Sequence, residues 1–218
     1  LELSNLEYQK KLRRQAELKA LQSQVNPHFL YNALNTISFI CRENAERARE
    51  LLLTLASYYR QTLENEQYML NLHTELYHIN TYLELEKARF EEKLQVTMDI
   101  EEDLDCMVPS FILQPLVENA IRYGADINGI RTVIICACYA KDTYGHKCVH
   151  IAVKDNGKGF PKEMLEQFYC GENGNRVGLK NVHERLKSIY GNESGLLLQN
   201  TQEGACVSFD IPEATHAE

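Results

Sequence analysis

Between Gln24 and Asn35 the sequence sets a proline, a histidine and three asparagines into an otherwise helical pattern. Asparagine and proline are poor helix-interior residues, so a segment that needed only a helix would not carry them. On a helix, His28, Asn32 and Asn35 fall at i, i+4 and i+7 and form one polar stripe. Phe29, Leu30, Ala33, Leu34 and Ile37 fall on the adjoining faces and read as core. Asn26-Pro27 fits either a fresh helix start, with Asn26 as cap and Pro27 in the first turn, or a kink in one long helix. The run of Leu18, Leu21 and Val25 in phase with Phe29 favours the kink. A lone helical histidine is most often a surface or capping residue. One held on the wet side of a packed helix is also placed for nucleophilic chemistry.

The surrounding half of the chain is helical. From Leu1 to Cys41 there is no glycine, and Leu3, Leu6, Lys10, Arg13, Leu18, Leu21 and Val25 follow a loose heptad-like spacing. Such a stripe looks for a partner helix. The pattern is already running at Leu1, as expected of a fragment of a longer protein. Arg42-Glu43-Asn44 reads as a turn. The next helix puts Leu51, Leu52, Leu55, Tyr58, Tyr59 and Leu63 on its inner face. Two such helices from each of two chains would close a four-helix bundle. A third helix opens near Leu72, with Leu76, Ile79, Leu83, Glu86 and Phe90 at alternating spacings of three and four. His73 and His78 lack partners at ligand spacing, so no histidine-bound metal is expected.

From Gln95 the period changes. Gln95–Ile100 alternates polar and apolar, Thr132–Ala140 and Val149–Asp155 are rich in β-formers, and Gly195–Thr201 with Ala205–Ile211 flank a Glu203-Gly204 turn. Helices are expected after Pro109 and over Leu179–Tyr190. The class is therefore α+β: an N-terminal helical hairpin, then a two-layer sandwich with helices on one face of a mixed sheet.

The net charge of −8 argues against nucleic acid as a partner. No apolar run reaches the roughly 20 residues of a membrane span. The seven cysteines are odd in number and scattered, and read as reduced core residues of a cytosolic chain. No Gly-x-x-x-x-Gly-Lys-Ser/Thr is present, which excludes P-loop chemistry.

The string Gln24, Asn26, Pro27, His28, Phe29, Leu30, Asn32, Leu34, Asn35 resembles the H-box of the LytS-like sensor histidine kinases. Leu72, Glu75, Leu76, Arg89 and Phe90 agree with a further pattern of that family. Three more motifs follow in order: Pro115–Ile121 resembles the N-box, Asp155-Asn156-Gly157-Lys158-Gly159 the G1 box, and Gly178-Leu179-Lys180-Asn181-Val182 with Glu184-Arg185-Leu186 the G2 box. The resemblance implies a GHKL-type ATP-binding domain over residues 93–218 and a helical dimerisation and phosphotransfer domain over 1–92. It makes His28 the phosphoacceptor, with Asn32 one turn along to assist. It makes Asn119 the residue that holds Mg²⁺ on the ATP phosphates, Asp155 the reader of the adenine amino group, and Gly157, Gly159, Gly178, Leu179 and Asn181 parts of the nucleotide site. Glu118, Tyr123, Lys180 and Arg176 are added candidates.

Two departures stand out. Related ATPases carry a water-activating carboxylate where this chain has Pro115, which argues against hydrolysis as the main activity. Arg176 replaces the first glycine of the usual Gly-x-Gly-Leu of the lid. The family's function, implied here, is ATP-dependent autophosphorylation followed by transfer to an aspartate of a response-regulator receiver domain. It would be carried out by a homodimeric cytoplasmic fragment below an upstream membrane sensor. A nucleotide-binding dimer without kinase activity, or mainly a response-regulator phosphatase with Asn32 positioning water, are the alternatives.

Overall fold

The computed structural model describes residues 26–64, 67–142, 145–170 and 177–212. The heptad-like expectation over Leu1–Val25, Gln24 of the H-box and Arg176 of the lid lie outside these residues. The described chain groups into two compact units. One comprises 26–64 and Asn80–Arg89; the other comprises Gln67–Ile79 and the described residues from Phe90 onward.

The first unit contains α1 (Pro27–Ile40), α2 (Ala45–Glu64) and the second part of α3 (Leu72–Phe90). Asn26 is extended (φ −74°, ψ 101°) and its side chain accepts from the Phe29 N–H at 3.3 Å. Pro27 thus begins a capped helix, and the kink expected from the in-phase leucines is corrected. An extended Asn26 stands outside the helix it caps, and Pro27 lacks the N–H that a first-turn residue leaves unpaired anyway. The turn at Arg42–Asn44 forms as expected. Asn44 starts α2 by accepting from the Arg47 N–H at 2.9 Å.

Phe29, Ala33 and Ile37 of α1, Leu51, Leu55 and Tyr58 of α2, and Tyr82, Leu83 and Leu85 of α3 are buried. Leu34, Leu52 and Leu63, expected inside, are 48%, 53% and 50% exposed. Each lies one residue along from a buried position, which turns it about 100° out of the stripe.

The second unit holds two sheets. β1 (Met69–Asn71) and β3 (Met107–Pro109) form a short antiparallel ribbon that three-residue segments do not announce in sequence. α3 starts directly after β1 because the Asn71 side chain accepts from the His73 N–H at 2.9 Å. The main sheet has five strands in the order β2 (Leu94–Ile100), β4 (Arg131–Lys141), β5 (Lys147–Asp155), β7 (Ala205–Pro212), β6 (Leu197–Asn200). β2 and β4 are parallel and the other pairs antiparallel, so the sheet is mixed.

In register, Val133, Ile135 and Ala137 pair with Asp155, Val153 and Ile151, and the last two pair with Val207 and Phe209. This face is buried. The helices that complete the core are α4 (Gln114–Tyr123), through Leu116, Val117, Ala120 and Ile121, and α6 (Val177–Tyr190), through Leu179, Val182 and Leu186. Alternate positions such as Asp99, Cys136, Cys138 and Lys154 are partly or fully exposed.

The cysteines are free, as expected, but only Cys148 and Cys206 are buried; Cys41, Cys138 and Cys170 are exposed. The segment from Lys162, which carries no expectation from sequence, forms α5 (Lys162–Cys170). It is held by Phe168, whose ring meets His183 of α6 edge-on at 5.1 Å.

Candidate functional site

In the first unit the site is one imidazole on a braced helix. The Phe29 ring lies 5.0 Å from Tyr58 and 4.9 Å from Tyr82. This aromatic cluster locks the rotation of α1, so the preceding residue, His28, faces solvent. The Asn32 amide nitrogen lies 3.3 Å from both Nδ1 and Nε2 of His28. It therefore flanks the ring without committing either nitrogen. His28 and Asn32 are brought together as the stripe implied; Phe29 and Ile37 point away from them into the core.

In the second unit, α4 organises the site. Its buried side is apolar, and Pro115, Glu118, Asn119 and Arg122 recur on the less buried side. Glu118 accepts from the Gln114 side chain at 2.9 Å. At its C-terminal end α4 meets the turn after β5. A Cβ on Gly157 would fall 2.6 Å from the Gly124 Cα and 2.8 Å from the Tyr123 carbonyl oxygen. One on Gly124 would fall 2.5 Å from the Asp155 Cβ, and one on Gly204 would collide with the Asp155 carbonyl oxygen. Three glycines from three distant segments thus let the backbone close around Asp155. The Asp155 carboxylate accepts through Oδ1 from the N–H groups of Gly157 (2.9 Å) and Ala205 (3.2 Å). Its plane is thereby set by the fold before any ligand arrives.

The rest of that turn is pinned in the same way. Asn156 accepts from the Thr132 N–H at 2.7 Å, and Asn200 bridges the Phe160 N–H and carbonyl at 2.6 and 2.9 Å. Gly159 sits at φ +76°, where a side chain would be strained and would meet Asn200.

At its N-terminal end α4 meets α6: a Cβ on Gly178 would lie 3.6 Å from Pro115. Gly178 and Asn181 are exposed, Lys180 is half-buried, and Leu179 is buried at 2% and anchors the helix start. Tyr123 is exposed beside Arg122, whose guanidinium is 5.4 Å from its ring centre. Asn119 therefore sits on a helix of about 15 Å with a fixed carboxylate at one end. At the other end lies the start of α6, and the N–H groups of a helix start suit phosphate oxygens. Its amide oxygen and the neighbouring Glu118 carboxylate are hard donors of the kind Mg²⁺ takes.

A cavity of about 430 Å³ lined by Tyr139, Ala140, Lys141 and Lys147 lies at the opposite end of β4 and β5 and includes none of these residues. Among the described residues no cluster of histidine, cysteine and carboxylates has the arrangement of a metal site.

Gly124, Gly204 and Asn200 were not expected as parts of this site, and Asn156 stood out only as a member of the G1-like string. Of the first three, Gly204, as a turn residue, gave the sole signal. The others act through backbone contacts made across the fold.

Residues 16–94 match the histidine kinase family model, and residues 109–215 match that of the histidine kinase-, DNA gyrase B-, and HSP90-like ATPases. The sensor histidine kinase YpdA of Escherichia coli is 41% identical over 97% of this chain and 37% of its own length. The sensor histidine kinase/phosphatase LytS of Staphylococcus aureus is 39% identical with the same coverage. This chain belongs to the LytS-like sensor histidine kinase family.

It spans little more than a third of the length of these relatives. Among solved structures, the catalytic domain of histidine kinase ThkA superposes with a TM-score of 0.51 at 20% identity, over 66% of this chain and 94% of that one. The histidine kinase fold is thus shared well below the level of sequence resemblance, and the ATPase-type domain makes the second unit an ATP-binding one. The segments that resemble the N-box, G1 and G2 boxes lie on the α4 stripe, at the Asp155 turn and at the start of α6.

Proposed function

We propose that the chain is the catalytic core of an ATP-dependent protein-histidine kinase that phosphorylates His28. The observation that carries this is the His28 imidazole, solvent-facing on a capped helix whose rotation Phe29, Tyr58 and Tyr82 set. An unprotonated ring nitrogen of His28 attacks the γ-phosphorus, the bond to the ADP oxygen breaks, and the N–H proton on the other ring nitrogen is released to solvent or to ADP. Asn32 orients the ring. Asp155 accepts from the adenine amino group, which discriminates against guanine, whose carbonyl has no proton to donate there. The N–H groups at the start of α6 meet the phosphates, with Lys180 nearby.

Mg²⁺, held by Asn119 with Glu118 in support, supplies charge neutralisation on the phosphates. Pro115 places no carboxylate one turn before Asn119, so no base on that turn activates water against the phosphoryl group. Tyr31, Leu34, Leu52 and Leu63 are exposed on the helical unit, and this apolar surface supports homodimerisation through the domain assigned to 1–92. Transfer of the phosphate to an aspartate of a response-regulator receiver domain follows from family membership. Among the described residues no helix is long and apolar enough to cross a membrane; a membrane sensor upstream of this core completes the proposal.

The test is incubation with γ-labelled ATP and Mg²⁺ beside His28→Ala. Acid-labile, alkali-stable label that disappears in the variant is the expected result; label that persists in it would sink His28 as acceptor. A second reading, phosphatase action on the regulator, is favoured by the Asn32 amide poised beside His28. Dephosphorylation of a phosphorylated regulator that is slowed by Asn32→Ala would support it.

A further inference from the structure

Glu75 is a fully buried carboxylate to which the mechanism above gives no role. It is 0% exposed. It sits in the first turn of α3 and accepts from the Phe111 N–H through Oε2 at 2.9 Å and from the Leu113 N–H through Oε1 at 3.0 Å. Phe111 is at φ +56°, a conformation rare for a bulky residue. Successive N–H groups turned to one side by such a residue form an anion-binding nest, and Glu75 occupies it.

The same loop is gripped from the other side by Arg185 of α6, which donates to the carbonyl oxygens of Ser110 and Tyr68. The His78 ring, one turn further along α3, stacks on Phe111 at 5.7 Å. The loop leads directly into α4, whose first-turn bonds run from the Leu116 and Val117 N–H groups to the Leu113 carbonyl. The direction in which α4 leaves Leu113 decides where Asn119 stands.

We infer that Glu75 is a positioning residue for nucleotide binding: by holding the N–H groups of Phe111 and Leu113 it aims α4, and with it Asn119, at the phosphates. The inference rests on the ATP-binding reading of α4. Replacing Glu75 by glutamine leaves one acceptor oxygen and turns an NH₂ group toward an N–H donor, so the loop loses one of its two holds. The same replacement removes a buried charge, which offsets the lost bond in overall stability.

The purified chain, at pH 7.5, is titrated with Mg·ATP by calorimetry beside Glu75→Gln, and thermal unfolding is followed for both. Glu75→Gln is expected to bind Mg·ATP about tenfold more weakly, as loss of one hydrogen bond allows, with no fall in its unfolding midpoint. Labelling of His28 should drop at low ATP and recover at saturating ATP. A folded Glu75→Gln that binds like the wild type would overturn the inference, as would affinity and midpoint falling together, which is what a merely structural residue gives. If Glu75→Gln does not fold, Glu75→Asp, one methylene shorter, is measured in the same way; failure of both to fold would also overturn it. A wild type that does not bind Mg·ATP would instead remove the nucleotide reading on which the inference rests.

Discussion

The two units build their sites in opposite ways. The helical unit presents one reactive side chain from one short string, and its scaffold is the helix that carries the string. The α/β unit presents little that is reactive. Its site is made of backbone groups and fixed dipoles drawn from α4, the turn after β5, the β6–β7 turn and the start of α6. The first needs a single side chain exposed and oriented, and a capped helix with an aromatic anchor suffices. The second needs several backbone segments within van der Waals distance of one another, and only small residues and buried hydrogen bonds at each meeting point allow it.

This contrast can be broken in order of expected effect. Phe29→Ala empties the aromatic cluster under His28. Removal of a buried phenyl costs about 3–5 kcal/mol, so the helical unit should unfold or loosen and His28 labelling should be lost, while Mg·ATP binding by the second unit persists. Calorimetry with parallel labelling checks this. If ATP binding is lost as well, the two sites are not independently built.

Gly204→Ala puts a methyl group into the Asp155 backbone. Overpacking of this kind costs roughly 1–3 kcal/mol. It should weaken ATP binding while circular dichroism and the His28 environment, followed by its ring proton resonances, stay unchanged. Wild-type affinity in this variant would mean the glycine meeting point is dispensable.

The smallest effect is a pH slope. Burial lifts the Glu75 carboxyl from 4.5 to about 7, against the lowering action of its backbone donors and of Arg185. The folded state therefore binds this proton more tightly than the unfolded one. Its contribution to stability is fully present below about 4.5 and is lost as pH rises through about 7. Arg185 acts on it electrostatically, His78 stacks on the adjoining Phe111, and Tyr68 and Tyr190 are grouped around Arg185. Over pH 5 to 8 the wild-type unfolding midpoint should fall relative to that of Glu75→Gln, whose side chain does not titrate. Parallel curves would place the Glu75 pKa outside this window.

Legibility followed the same division. His28, Asn32 and the end of α1 before the Arg42–Asn44 turn could be read because helix neighbours are sequence neighbours at three and four residues. The kink at Pro27 was misjudged because apolar phase continued across Asn26, whereas cap chemistry set the local backbone. The strands were legible from alternation, but the parallel pairing of β2 with β4 was not, since residues almost 40 positions apart meet there. α5 was overlooked because its hold on the fold, Phe168 against His183, is a tertiary contact. Leu34, Leu52 and Leu63 were assigned to the core because an apolar residue looks the same whether its partner lies within the chain or beyond it.

Local pattern carried the α+β class, the helical and strand periods and the polar stripe of His28 and Asn32; the acceptor role proposed for His28 and the order of the nucleotide motifs came from resemblance to the family. Each such pattern is a property of residues close in sequence, where backbone geometry dictates spacing. Packing alone placed Gly124, Gly157 and Gly204 around Asp155, bound Asn200 to Phe160, and buried Glu75 under the loop that starts α4. These depend on how closely segments approach across tens of residues. That distance is set by the summed contacts of the core and is written in no single stretch of chain.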